Sequence, residues 1–390
     1  MTNYSQSHLY SAASYSYAAA LGPVRSKALD ADQRPAMLAG TKRLIDILSW
    51  RRPHDSQAEQ QFTDEYLMPL IRHPNVTGFN VDGFGNIWVA VGPDAFEAPL
   101  LFSCHIDTVS SAGGRQAIGW SRTEQDVLQL ISKKAGRSLG ADDGAGLWLL
   151  LEMMDANVAG QYVFHRGEEK GRLGSLYVAR NEPWRLDKVQ ACIAFDRRDH
   201  DNLITHQMGE RGCSTSFATS LIDSLLIASN GQLLYREDDT GSYTDSYSYF
   251  DLVPECTNLS IGYDGEHGPR ETLDVAHVWR LRQAIVQADL GGLSIERDPT
   301  ASAISYLDET YDRFGDWRDW RQPTKTSYRD FAPTSSAADD WDELADLLAL
   351  VCNYPDQVAE MLQDLGIAPW NIIEELPTGE QARALTIINQ

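Results

Sequence analysis

The sequence predicts an α/β fold: a mixed, mostly parallel central sheet flanked by helices, followed by a small C-terminal helical appendage. Three observations lead there. Apolar runs of strand length alternate with segments of helical period, the pattern of layered α/β domains. Several of those runs end in a carboxylate or an imidazole. A buried strand delivers such a group to one edge of a sheet, where open α/β sheets bind their ligands. Past Asp298 the composition changes to irregular Asp-, Arg-, Ser-, Tyr- and Pro-rich chain, then to helical patterns.

Taken in order, residues 1–30 are rich in Ser, Tyr and Ala and read as a flexible arm. They lack a basic n-region and a continuous apolar h-region, so they make a poor signal peptide. Apolar residues at helical spacing predict a helix over 36–48 and a second over 54–71, with Phe62, Tyr66, Leu67 and Leu70 on one face. Val76 to Val81 alternates as a strand, Gly83 to Asn86 makes a turn, and Ile87 to Val91 returns. Leu100 to Cys104 reads as a buried strand and Asp126 to Ser132 as another. Gly144 to Met154 has almost no polar face and predicts a mostly buried helix. Strands are expected at 162–165, 191–195 and 257–261, then a helix over 274–288 with Asp274 as N-cap. The expected organisation is an arm (1–30), a catalytic domain (31–298), an irregular linker (299–335) and a helical appendage (336–390). No repeat of 20–50 residues is present.

Composition narrows the function. The net charge of −23 and pI near 4.7 would repel a polyphosphate, which excludes nucleic-acid binding through a basic surface. No apolar stretch reaches the roughly 18 residues of a membrane span. The five cysteines (104, 192, 213, 256 and 352) are odd in number and show no CxxC spacing. They read as reduced thiols, which favours the cytoplasm.

The strand-end residues carry the chemistry. His105 ends one apolar run, with Asp107 two residues on, on the same side of an extended chain. His105 can ligate a cation through one nitrogen, and Asp107 is the nearest candidate to orient the other. Asp142 and Asp143 stand at the start of the buried helix among Gly140, Gly144 and Gly146. One carboxylate would serve as an N-cap; two ask for more, and a carboxylate can bridge two cations about 3.5–4 Å apart. Glu168 and Glu169 follow a strand directly. Like charges disfavour each other at a shared site, a cation held by one removes that penalty, and the other can then act as general base. Asp196 closes a fourth run and His267 follows a fifth. Singly, each has an ordinary structural explanation. Together they supply enough donors for two divalent cations.

At this point the residues resemble the co-catalytic zinc exopeptidase superfamily, which includes leucyl-type aminopeptidases, peptidase T, carboxypeptidase G and the succinyl-diaminopimelate desuccinylases. The resemblance covers roughly residues 37–290. It rests on Ser-Cys-His105-Ile-Asp107, Gly-Ala-Asp142-Asp-Gly-Ala-Gly, Glu168-Glu169-Lys-Gly-Arg-Leu-Gly-Ser, Asp196 and His267-Gly-Pro-Arg-Glu-Thr-Leu-Asp. It implies His105 and Asp196 on one zinc, Glu169 and His267 on the other, and Asp142 between them. Asp107 would orient His105, Glu168 would be the general base, and the peptide after Asp142 would be cis. Many relatives carry Lys where this chain has Gly144, so a contact near the ligands is expected to be missing. Only 70 residues separate Asp196 from His267 and 36 separate His105 from Asp142, too few for the lid or inserted domains of other branches. The chain therefore resembles the compact branch. Tyr243 and Asp245 fall where that branch places a loop near the substrate.

The expected protein is a hydrolase with two divalent cations, Zn first with Co or Mn as alternatives. Its substrate would be a small peptide or an N-acyl amino acid. An aminopeptidase is favoured over a carboxypeptidase or deacylase, and a silent metal-binding scaffold on the same fold is the reading from another class. Self-association stays open. A nucleotide site at Gly83-Phe84-Gly85-Asn86 fails, because those glycines join two strands instead of opening a helix.

Overall fold

The structure, a computed structural model, describes residues 34–134 and 136–300. The expected arm, Cys352 and the expected linker and appendage, apart from residues 299 and 300, lie outside the described residues.

The backbone of the unit is an eight-stranded mixed sheet. Its strands are β1 (Val76–Val81), β2 (Ile87–Val91), β3 (Leu100–His105), β6 (Gly160–His165), β7 (Ala191–Arg197), β8 (Asn202–Ile204), β9 (Arg236–Asp238) and β10 (Glu255–Ser260), in spatial order β9-β8-β10-β7-β3-β6-β2-β1. The centre, β10-β7-β3-β6, is parallel, while β1, β2 and β8 join their inner neighbours antiparallel. The carboxyl ends of β3, β6 and β7 therefore share one edge. A second, antiparallel sheet contains β4 (Ile118–Arg122), β5 (Leu128–Ser132), β11 (Tyr263–Asp264) and β12 (Thr272–Asp274), ordered β11-β12-β5-β4.

Alternation along the strands divides the interior into two layers. Phe102 and Cys104 of β3 face the larger core with Tyr162, Phe164, Ile193 and Phe195. Leu101, Val163 and Cys192 face the opposite side with Trp88, Tyr249 and Phe250. Each such fully buried aliphatic or aromatic side chain contributes about 1.5–3 kcal/mol. Helix α4 (Ala141–Asp155) crosses the larger core against β3 and β7, with α1 (Arg34–Leu48) and α7 (Val275–Gln287) against it. Its near absence of a polar face is explained by burial on all sides, and the Trp148 indole donates to the Gly40 carbonyl at 2.8 Å. Asp274 caps α7 as its side chain predicts, accepting the N–H groups of Ala276 and His277.

The second predicted helix is interrupted. It forms α2 (Gln57–Gln61), a π-turn over Phe62–Leu67 and a short α3 (Met68–Ile71). Pro69 lacks the N–H that would continue the α pattern. Two helices have no counterpart in the sequence reading: α5 (Leu173–Asn181) and α6 (Thr215–Ala228). The Ser-, Thr- and Ile-rich sequence of α6 has weak helical propensity. Its burial of Phe217, Leu221 and Leu225 and its Ser214 cap hold it helical. Cys104, Cys192, Cys213 and Cys256 are buried free thiols. No helix among the described residues is long and apolar enough to cross a membrane.

Candidate metal centre

The predicted ligands converge at the shared strand edge. Two groups form: His105, Asp142 and Asp196, and Asp142, Glu169 and His267. In each, one donor atom from every residue lies within 4.8 Å of the others. Asp142 belongs to both, facing His105 Nε2 with Oδ1 at 2.9 Å and His267 Nε2 with Oδ2 at 3.0 Å. Asp196 Oδ1 lies 3.7 Å from His105 Nε2, and Glu169 Oε2 lies 3.2 Å from His267 Nε2. The Asp142–Asp143 peptide is cis, as the resemblance implied.

Local backbone explains how each side chain arrives. His105 is the last residue of β3 and Asp196 the last but one of β7. Gly167, at φ 74°, turns the chain out of β6 so that Glu168 and Glu169 open a 3-10 turn over the edge. Asp142 and Asp143 leave helical geometry at the start of α4, which in effect begins at Gly144. Asp143 takes the capping role: Oδ1 accepts Gly146 N–H at 2.9 Å and Oδ2 accepts the backbone N–H of His105 at 3.1 Å. Asp142 is left to face the histidines. Gly146 must lack a side chain, because a Cβ there would collide with Asp143 Oδ1 and the Phe195 carbonyl. At Gly144 a Cβ would meet Leu48 Cδ2 at 2.9 Å and Arg52 Nη2 at 3.5 Å. The buried Arg52 guanidinium thus occupies the surroundings of the position where many relatives carry Lys.

Asp107 acts by a different route from the one its spacing suggested. His105 Nδ1 meets the backbone carbonyl of Asp107 at 3.0 Å, while the carboxylate Oδ1 stands 3.8 Å away. The carboxylate instead accepts the N–H groups of Gly167, Glu168 and Glu169 at 2.8, 3.1 and 3.2 Å. One residue therefore fixes the histidine with its main chain and the Glu168–Glu169 turn with its side chain. The loop at 241–246 also reaches the site. Thr244 Oγ1 donates to Asp196 Oδ2 at 2.6 Å, and Tyr263 Oη donates to Oδ1 at 3.2 Å. Asp245 is buried under the site beside His165, its Oδ2 3.1 Å from Nδ1, and does not face outward.

Three surrounding residues escaped the sequence reading. Glu271 is buried and accepts four backbone N–H groups, from Leu139, Gly140, Ala141 and Asp142. It sits inside the His267–Asp274 motif, four residues after a ligand. His165 pairs in register with His105 on the neighbouring strand and meets Tyr249 Oη at 2.6 Å. Arg52 is fully buried, donating to the carbonyls of Ile106, Ile47 and Trp50. Burial lowers its guanidinium pKa to about 10, opposed by Asp107 and Asp143.

The electrostatics suit cations. Burial pushes the Glu168 carboxyl well above its ordinary range, and Asp196, Asp245 and Glu169 push it further against the pull of His105. Burial and Asp142 raise Asp196 to about 7. Burial would also raise Asp142, but the hydrogen bonds from His105 and His267 outweigh it and hold the carboxylate ionised. Glu169 Oε1 is buried without a hydrogen-bond partner. Carboxylates crowded around two imidazoles, with a buried orphan oxygen, form a donor set that fits divalent cations in both groups.

Comparison with known proteins places the fold first. A tripeptidase from Staphylococcus aureus superposes with a TM-score of 0.50 at 13% identity, over 64% of this chain and 97% of that one. An aminopeptidase PepT from Bacillus cereus gives 0.48 at 12% identity, over 64% and 97%. The TET1 peptidase of Pyrococcus horikoshii gives 0.46 at 17% identity, over 65% and 100%. No curated protein sequence matches. The mixed sheet with flanking helices is thus the aminopeptidase-like α/β fold. The family model of peptidase family M28 matches residues 86–251, a span containing His105, Asp142, Glu168, Glu169 and Asp196. Over that span the chain is similar to peptidase family M28.

Proposed function

We propose that this chain is a two-metal aminopeptidase acting on short peptides, with zinc as the favoured cation and cobalt or manganese as substitutes. The observation that carries the reading is Asp142, whose two oxygens face two imidazoles, each backed by a further carboxylate. His105 and Asp196 would hold one cation, Glu169 and His267 the other, and Asp142 both. Such cations, when bound, polarise the scissile carbonyl and lower the pKa of water toward about 7.

The chain's own residues then do the following. Glu168 Oε accepts a proton from the attacking water and passes it to the leaving amine. Its raised proton affinity suits both transfers. The Asp107 carboxylate keeps the Glu168–Glu169 turn in register with His105. Thr244 and Tyr263 hold the Asp196 carboxylate in one orientation. The excess of carboxylates over imidazoles and the net charge of −23 favour a cationic substrate N-terminus over an acidic substrate group at the centre.

Residues 31–298 are proposed as the catalytic domain, since no member of the ligand set lies outside them. The buried free thiols fit a cytoplasmic location. Free and N-acetylated short peptides, assayed side by side with added zinc, test the reading. Turnover of the free set supports an aminopeptidase. Preference for the acetylated set would move the assignment to a carboxypeptidase or deacylase, and no turnover of either would favour a silent scaffold. Light scattering on the same sample decides self-association.

A further inference from the structure

Arg172 stands out among the charges around the candidate centre. Arg166 is paired with Glu59 at 2.8 Å, Arg197 with Asp238 at 3.6 Å and Arg198 with Glu266 at 2.9 Å. Arg172 is held by neutral groups instead. Its guanidinium carbon lies 4.7 Å from the Tyr243 ring centroid and 4.8 Å from that of Tyr247. Nη1 donates to Ser248 Oγ at 2.9 Å. Nε is buried without a partner, and Nη2 donates no hydrogen bond among the described residues.

Its position is tied to the centre from two directions. The backbone N–H of Arg172 donates to the Glu168 carbonyl at 2.8 Å, so it closes the turn that carries Glu168 and Glu169. Tyr243, against which it stacks, precedes Thr244, whose hydroxyl holds Asp196. Arg172 therefore joins the turn that carries Glu168 and Glu169 to the loop that holds Asp196. It is also fixed as a plane by the two rings, the state in which a guanidinium loses least freedom on binding a planar anion.

We propose that Arg172, on the platform of Tyr243 and Tyr247, binds the C-terminal carboxylate of the substrate and so restricts the enzyme to short peptides. This rests on the aminopeptidase reading above. A carboxylate matches the paired donors of a guanidinium, and a charge without a carboxylate partner in the protein is available to one in the ligand. An extended peptide spans about 3.3–3.6 Å per residue, so a guanidinium tied to the Glu168–Glu169 turn and to the Thr244 loop favours a substrate of few residues. A cation without a carboxylate partner beside these segments also offsets the repulsion that so many carboxylates would exert on an anionic terminus.

The test uses the zinc-loaded full chain, the tripeptide Leu-Gly-Gly and its C-terminal amide. The wild type is expected to show a KM at least tenfold lower for the acid, with kcat alike for both. Arg172→Gln should erase that ratio while keeping kcat on the amide, and Arg172→Lys, which keeps charge without the plane, should leave part of it. A stack that merely pins a turn to a loop would not move an acid-to-amide ratio. Equal KM values in the wild type, or an unchanged ratio in both variants, would overturn the inference while leaving the aminopeptidase reading standing. If neither peptide is turned over, that reading fails by itself. Calorimetric binding of the same two peptides then decides this inference: tighter acid binding lost in Arg172→Gln supports it, and equal binding contradicts it. Should Arg172→Gln not fold, Arg172→Lys carries the comparison.

Discussion

Glu271 Oε1 accepts the backbone N–H of Asp142 at 3.2 Å, so the residue shared by both candidate cation groups is seated by a carboxylate outside either group. The same side chain takes the N–H groups of Leu139, Gly140 and Ala141. Glu271→Ala would leave four buried donors unpaired, at about 1–3 kcal/mol for each that finds no substitute. A loss of at least about 3 kcal/mol is expected in denaturant unfolding, with Glu271→Gln in between. A change under about 1 kcal/mol would show that water replaces the carboxylate and that the loop does not depend on it.

Glu168→Gln removes the proton acceptor and keeps the shape of the side chain. Turnover should fall by about 10²–10⁴, the usual scale for a general base. Metal content, read by elemental analysis, should stay at the wild-type value. Activity within a factor of two of wild type would take Glu168 out of the proton-transfer role.

Thr244→Val keeps the volume at the loop and removes the donor to Asp196 Oδ2. Partners of this kind are worth about 10–100-fold in metal affinity. The weaker of two zinc affinities, measured by competition with a chelator, is expected to fall by about tenfold. No change in either affinity would mean that Tyr263 alone holds the Asp196 carboxylate.

Glu59 gives a pH signature away from the ligands. Burial alone would raise its carboxyl. The bonds from His54, Arg166 and the backbone of Asp55 outweigh that and hold it at about 2, below its ordinary 4.5. A lowered carboxylate pKa contributes stability that is complete above the unfolded value and is lost as pH falls through the folded one. Wild type should therefore be more stable than Glu59→Gln at pH 6, and the gap in Tm should close between about pH 4.5 and 2. A gap independent of pH in that window would show that the Arg166 pair adds nothing specific to folding.

Much of the fold was legible because strands buried on both faces read as continuous apolar runs and α4 has no polar face to mislead. The ligand set was legible for the same reason: His105, Asp196 and the Glu168–Glu169 pair each interrupt apolar sequence at a strand end. What stayed hidden depends on contacts far apart in sequence. Glu271 lies 129 residues from Asp142, and its role is visible only once the loop at 139–142 is folded against it. Asp107 was read by its side-chain spacing, whereas its main chain meets His105 and its carboxylate caps a turn 60 residues away. His165 looked like one more strand residue, and only the β3–β6 register sets it beside His105. Helix α6 was missed because its packing, and not its local propensity, makes it helical.

Metal stoichiometry coupled to turnover tests the two-cation centre most directly. The full chain, stripped with a chelator and titrated with zinc, should bind two equivalents per chain. Hydrolysis of an unblocked short peptide should appear as the sites fill, and Asp142→Asn should lose both high-affinity sites together. One equivalent at full activity, or turnover that survives complete removal of metal, would contradict a pair of cations joined through Asp142.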